Sequence, residues 1–406
     1  MVGPLVGNQK GCRVGWPGNA GIRVTIKSYD AVVVGAGVFG CWTAWYLAQR
    51  KQRVLLVDAY GPANSRASSG GESRIIRMGY GADELYTRWS QRSLTQWREV
   101  LETVGAPLFH ATGVLWLAGE GDQRIQQTRT TLKLCGVPFE SLNRRDLERT
   151  YPQMGLDGIA CGILETTSGV LLARRCVAAI VRQLVDMGVE YRVARVEASF
   201  TGSGVPGITT HSGERLVAEQ FVFACGAWLA KLFPEVLGDR IFPTRQEVFF
   251  FGVPAGDSRY APPALPTWLF QEDQYYGMPD LENRGLKVAV DSHGERVDPD
   301  TQSRIVSQQS AKNARAYIAR RFPGLQHAPI VETRVCQYEN TSSGDFLIDQ
   351  HPQAQKVWFV GGGSGHGFKH GPAVGEYLVA RMLDRASSEA RFALATKNTV
   401  QQRAVY

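Results

Sequence analysis

Cysteine is sparse here, and nothing pairs it. The seven cysteines, Cys12, Cys41, Cys135, Cys161, Cys176, Cys225 and Cys336, are odd in number, scattered and without a CxxC pair. That argues against a disulfide framework and against a structural zinc or other metal site, and it fits a reducing, cytoplasmic setting. A basic run interleaved with aromatics is also missing. Of the net charge of +7, four charges (Lys10, Arg13, Arg23, Lys27) fall in residues 1–27, which hold no acid, so no nucleic-acid partner is expected. The same residues lack a continuous apolar segment and are broken by Gly and Pro, and they read as a disordered leader rather than a signal peptide. The run from Ala31 to Ala48 is uncharged and nearly long enough for a membrane span, but a strand followed by a helix explains it better. The chain has no repeat of fixed period, no heptad stretch and no low-complexity linker. What remains is an ordinary globular composition, 44% apolar and 20% charged over 406 residues, with chain enough for two domains and a monomer as the expected state.

Within the uncharged run, Asp30 to Gly35 reads as a buried β-branched strand, and Cys41 to Arg50 as a helix. Between them stands Gly35-Ala36-Gly37-Val38-Phe39-Gly40. The first glycine permits a tight turn, the second lets backbone approach a pyrophosphate, and the third lets helix pack on strand. The helix N-terminus then offers unpaired N–H groups to phosphates. A second strand, Arg53 to Asp58, ends in an acid 18 residues beyond Gly40, where a ribose hydroxyl needs an acceptor. This combination predicts a dinucleotide site, and by itself it leaves FAD and NAD both open.

The rest of the chain does not continue in regular strand–helix repeats. Gly70-Gly-Glu-Ser-Arg74-Ile-Ile-Arg77 follows, then an amphipathic helix over Asp83 to Val104, then short strands at Gly113–Ala118, Phe249–Val253 and Leu286–Val290. Strand-to-glycine turns return at Gln220–Gly226 and Val357–Gly363, the latter leading into a helix through Val374–Leu383. Arg74 and Arg77 are spaced so that both guanidiniums can reach one cavity; alternatively they form surface salt bridges. Lys287 stands in a mostly apolar strand, where lysine is rare without a partner or a purpose, or else it lies on the strand's solvent face. Cys336 reads equally as a small buried hydrophobe.

Together these pieces resemble the monomeric sarcosine oxidase and N-methyltryptophan oxidase family, within the D-amino-acid-oxidase fold group, over residues 28 to 385. The resemblance implies an α/β fold (α+β, two domains): a Rossmann-like FAD-binding domain (28–110, 170–240 and 335–390) interleaved with a mixed-sheet substrate domain (111–169 and 241–334). It implies FAD held by Gly35, Ala36, Gly37, Val38, Gly40, Asp58, Val196, Gly226, Gly363, Gly365, His366, Gly367, Phe368 and Lys369, with a covalent thioether to Cys336. Attachment would retain the cofactor and make it a better electron acceptor. Arg74 would lie against the flavin, and Lys287 over it, promoting reaction with oxygen by stabilising developing superoxide charge. Arg77 and Lys369 would bind a substrate carboxylate, and Tyr276 and Tyr338 would line the pocket. The implied activity is oxidation of a secondary amine, an N-methyl, N-substituted or cyclic amino acid, to an imine, with hydrogen peroxide released.

Two positions depart from the family pattern. Asp291 replaces a histidine four residues after Lys287, and Gly70 replaces one before the arginine pair. An acid at 291 would either meet a cationic substrate group or pair with a nearby arginine, and the glycines would enlarge the space near the flavin. Primary-amine oxidation (glycine or a D-amino acid), and a same-fold dehydrogenase with another electron acceptor, remain open at this point.

Overall fold

Residues 28–34 are apolar on both faces because both faces of their strand are covered. In the computed structural model, which describes residues 28–198 and 207–402, Ala31 and Val33 pack against the helix Val38–Gln49, while Tyr29, Val32 and Val34 join Leu55, Phe221 and Phe223 on the opposite side. The expected leader, residues 1–27, lies outside the described residues. Ser28–Val34 runs parallel to Val54–Asp58 on one side and to Arg215–Phe223 on the other. Glu190–Val193 extends the sheet beyond Val54–Asp58, and Val357–Gly361 extends it beyond Arg215–Phe223, again in parallel. All the parallel strands therefore end on one edge, where ligands bind in open α/β sheets. Asp58, Gly35, Gly226 and Gly362 stand on or just beyond that edge.

A second eight-stranded sheet runs in the order Ile330–Asn340, Phe242–Phe251, Leu286–Val290, Tyr275–Met278, Thr267–Phe270, Val114–Ala118, Cys161–Glu165, Phe139–Asn143. It is antiparallel except where Thr267–Phe270 meets Val114–Ala118, so it is mixed. The helix Gln308–Arg321 covers one face, burying Tyr317 and Ile318 against Trp268, Phe270 and Val288. Lys287, Ala289 and Phe250 point the other way. Ile330–Asn340 pairs with Phe242–Phe251 along its length, so Cys336 belongs to this second sheet, and residue 335 falls inside a strand rather than at a break. A small third sheet joins Arg74–Ile76, Gly169–Leu171 and Phe109–His110 where the two larger units meet. No helix among the described residues is long and apolar enough to cross a membrane.

Candidate active site

The glycine loop divides its labour as the spacing requires. Gly35 has φ +104°, and a side chain there would meet Ala224 O at 2.3 Å; one at Gly40 would meet Gly35 O at 1.8 Å. Those two glycines serve the chain's own packing. A side chain at Gly37 would meet only Ser69 Oγ, at an ordinary 3.4 Å, so its absence matters for what fills the cavity it lines. The helix that begins at Val38 has no side-chain cap of its own. Asp58 is engaged at both oxygens: Ala36 N donates to Oδ2 at 2.8 Å and Tyr60 N to Oδ1 at 2.8 Å. Burial raises its carboxyl, and these amides pull it back. Each oxygen keeps a second lone pair for a ligand hydroxyl. Val196 lines the same cavity of about 290 Å³, held near the acid because Ala194 N donates to Asp58 O at 2.9 Å.

The segment Ser68–Arg74 ties this loop to the second sheet. Ser69 Oγ accepts from Val38 N at 3.0 Å. Arg74 donates to Ser68 O (2.8 Å), Ser73 O (2.9 Å) and Cys336 Sγ (3.2 Å). Lys287 Nζ donates to Ser73 O at 2.9 Å and Ser73 Oγ at 3.2 Å, and it lies 6.0 Å from the centre of the Tyr276 ring. At 2% exposure Lys287 is not on a solvent face. The glycines before Arg74 do not open space: a side chain at Gly71 would strike the Arg74 guanidinium at 2.4 Å, and one at Gly70 would strike Asn64 O at 1.8 Å. The expectation of an enlarged pocket there is corrected. The room a side chain would need is occupied by protein.

Arg77 turns away from Arg74. Its guanidinium lies 4.6 Å from the Tyr80 ring centre and 4.8 Å from that of Trp116, and it donates to Gly79 O. Lys369, 3% exposed, donates from Nζ to His366 O at 3.0 Å and sits 5.0 Å from the Tyr80 ring centre. These contacts of the two arginines thus fall on different residues. Burial, and then Arg74, depress the Lys287 ammonium well below the usual lysine range; burial, and then Arg77, do the same to Lys369. Buried like charges held this close together are costly unless an anion joins them. Burial lifts Asp291 to about 7, while Arg77, Arg124 and Lys369 pull it down. Burial also raises both phenols, Tyr276 to about 12 and Tyr338 well above the usual range, and each feels the other, Arg74 and Asp291.

The last glycine turn closes the site. Gly365 has φ +80°, and a side chain there would meet the Tyr338 ring at 2.8 Å; one at Gly367 would meet Gly363 Cα and the Phe39 ring, both at 2.8 Å. His366 contacts Tyr80 OH through Nδ1 (3.1 Å) and Gly344 O through Nε2 (3.0 Å), and Phe368 stacks on Trp97.

Three contributors escape sequence reasoning. Glu165, fully buried, accepts from Met78 N, Gly79 N, Trp116 Nε1 and Ser168 Oγ. His370 Nε2 meets Tyr80 OH at 2.7 Å. Glu339 lines the cavity with an oxygen that has no partner. An acid ending an apolar strand was the available signal for Glu165; Glu339 sits in a polar run that offered none.

The space left beside Gly37 and the unpartnered Glu339 oxygen fit a bound dinucleotide. Among the described residues no cluster of His, Cys, Asp and Glu is built to hold a metal. The profile of the DAO family, described as FAD dependent oxidoreductase, matches residues 30–381. A monomeric sarcosine oxidase of Bacillus sp. (strain B-0618) is 31% identical over 359 residues, covering 86% of this chain and 91% of that protein. An N-methyl-L-tryptophan oxidase of Yersinia pestis (strain Pestoides F) is 26% identical over 370 residues, covering 88% and 96%. The fold is also similar to that of L-proline dehydrogenase from P. horikoshii, with TM-score 0.79 at 19% identity, over 91% of this chain and 97% of that one.

Proposed function

The chain belongs to the DAO family of FAD-dependent oxidoreductases, and from that membership we propose that it oxidises a secondary amine, an N-methyl, N-substituted or cyclic amino acid, to the imine. The flavin, when bound, supplies the two-electron acceptor, with oxygen as the final oxidant and hydrogen peroxide as the product. Covalent attachment through Cys336, oxygen as acceptor and a monomeric state are parts of the same proposal.

One observation carries it. Arg74, Lys287 and Cys336 come from three distant parts of the chain and converge on Ser68–Ser73, a segment bonded to the dinucleotide loop through Ser69. The contact of Cys336 Sγ with Arg74 and that segment supports it as the attachment point. The Arg74 guanidinium lies beside the sulfur, 3.2 Å away. Lys287, in its protonated form, would offset the negative charge that develops as oxygen takes an electron. Arg77 and Lys369 form a second cationic pair, suited to a carboxylate, and Arg77 is stiffened by the Tyr80 and Trp116 rings. Tyr276 and Tyr338 stay protonated at neutral pH, so they shape the pocket and donate hydrogen bonds without adding charge. Asp291 partly balances the carboxylate-binding pair. These residues orient an amino acid by its carboxylate and leave its nitrogen without a strong base, which suffices if the nitrogen lone pair drives transfer.

The test is denaturing precipitation of the purified protein, with absorbance read on pellet and supernatant. Yellow in the pellet, lost in Cys336→Ser, is the expected result, together with peroxide release on N-methyl or cyclic amino acids. Yellow in the supernatant removes the covalent bond from the reading. A colourless protein that also fails to take up FAD removes the flavin.

A further inference from the structure

Glu339 is the one unexplained acid of the cavity. It lies three residues beyond Cys336 on Ile330–Asn340, roughly 10 Å along the strand, and is 8% exposed. Oε1 accepts from Gly363 N at 3.4 Å, and Oε2 has no hydrogen-bond partner. A side chain added at Gly226 or Gly361 would meet that free oxygen at 3.5 Å. The Gly226 turn in turn abuts the diphosphate loop, since Ala224 O fills the space beside Gly35. Glu339 therefore stands beside the Gly226 and Gly363 turns, next to the loop that takes a diphosphate and on the same strand as Cys336. Buried carboxyl oxygens are almost always satisfied, and Glu339, whose Oε2 is not, lines the cavity.

We infer that Glu339 is a cofactor-binding residue that hydrogen-bonds, as a neutral acid, the hydroxyl-bearing stretch of FAD between diphosphate and ring. The inference rests on the FAD reading of the site. Burial, opposed by the amides of Gly363 and Gly362, places the carboxyl at about 7. The groups around it supply no counter-charge. Cys225, in the Gly226 turn, has a thiol that burial raises far above its usual range. Pro243 stands opposite in the neighbouring strand, and Ser364 N binds the Glu339 backbone oxygen at 2.9 Å. Of the charged groups on the same cavity, Arg195 is exposed and acts on Asp300, Lys231 is bonded to Asp298 and Asp300, Arg74 to Ser68, Ser73 and Cys336, and Asp58 to backbone amides. An ionised Glu339 would repel the diphosphate. Binding therefore selects the protonated form, and affinity falls as pH rises through about 7.

The test uses the full chain carrying Cys336→Ser, so that FAD binding is reversible, titrated with FAD by fluorescence quenching at pH 6 and pH 9. The parent should bind at least roughly tenfold more weakly at pH 9. Adding Glu339→Gln should hold the pH 6 affinity within about threefold and flatten the pH dependence, because an amide keeps the hydrogen bond without the charge. Adding Glu339→Leu should weaken binding about tenfold at pH 6. A flat parent profile, a Gln variant that keeps the parent slope, or a Leu variant that binds like the parent overturns the inference while the FAD reading stands. A folded parent that binds no FAD at either pH overturns both. If the Leu variant does not fold, the comparison of parent with Gln still decides.

Discussion

Glu165 has no exposed surface, and its hydrogen-bond donors carry no charge. Four donors to one carboxylate compensate its burial without a salt bridge. Two of them are the backbone amides just after Arg77, and a third is the indole on whose ring the Arg77 guanidinium rests. The acid thus sets the direction of an arginine it does not touch. Glu165→Gln turns an amide against this ring of donors and should lower stability by about 3 kcal/mol in urea unfolding. For a carboxylate-bearing substrate it should raise KM more than it lowers kcat. An unchanged KM in a folded variant would show that Arg77 is held without it. Lys287 teaches a related lesson. Its strand reads as apolar, and the lysine's purpose was visible as an oddity in composition, but its partner, Ser73, is more than two hundred residues away in the chain.

The helix Val38–Gln49, whose first turn borders the dinucleotide cavity, is braced from behind by Gly371–Leu383. A side chain at Gly375 would lie 2.6 Å from the Trp42 carbonyl carbon, and one at Gly371 would lie 2.5 Å from the Trp42 ring. Glycine here serves close approach of two helix backbones, where a methyl group has no room. Gly375→Ala should cost about 1–3 kcal/mol, seen as a lower Tm, and weaken FAD retention because Trp42 is one turn from Val38. Equal Tm would mean that the helices can separate freely. Elements of strong period were legible: Ser28–Val34, Val54–Asp58, Leu286–Val290 and the amphipathic Glu84–Glu102 lie within a few residues of their sequence-based bounds. Phe242–Phe251 was legible only in its second half. Its first half alternates Thr244 and Gln246, both buried, with Arg245 and Glu247, which pair at 2.6 Å, so no apolar period marks it.

Across the whole molecule, the site draws on residues 35–40, 58, 68–77, 226, 287, 336–339 and 363–369, so a ligand that bridges them binds only the folded chain. In the Cys336→Ser protein stripped of cofactor, FAD at 100 times its Kd should add about 2.7 kcal/mol of stability. The Tm should climb with FAD concentration and stay level with NAD. A rise with NAD, or none with FAD, would contradict the flavin reading. The sequence by itself determined the glycine turn, the acid that ends the next strand and the pairing of parallel strands with a covering helix, because each depends on short-range spacing: glycines where a side chain collides, β-branched runs where both faces are buried. Which arginine meets which lysine was decided by tertiary structure alone. So were the filling of the space beside Gly70 and Gly71, the support of Arg77 by Glu165, and the placing of Glu339 against the Gly226 and Gly363 turns. Those contacts join residues tens to hundreds of positions apart, and their energies depend on burial and on partners that exist only once two sheets and their helices have packed.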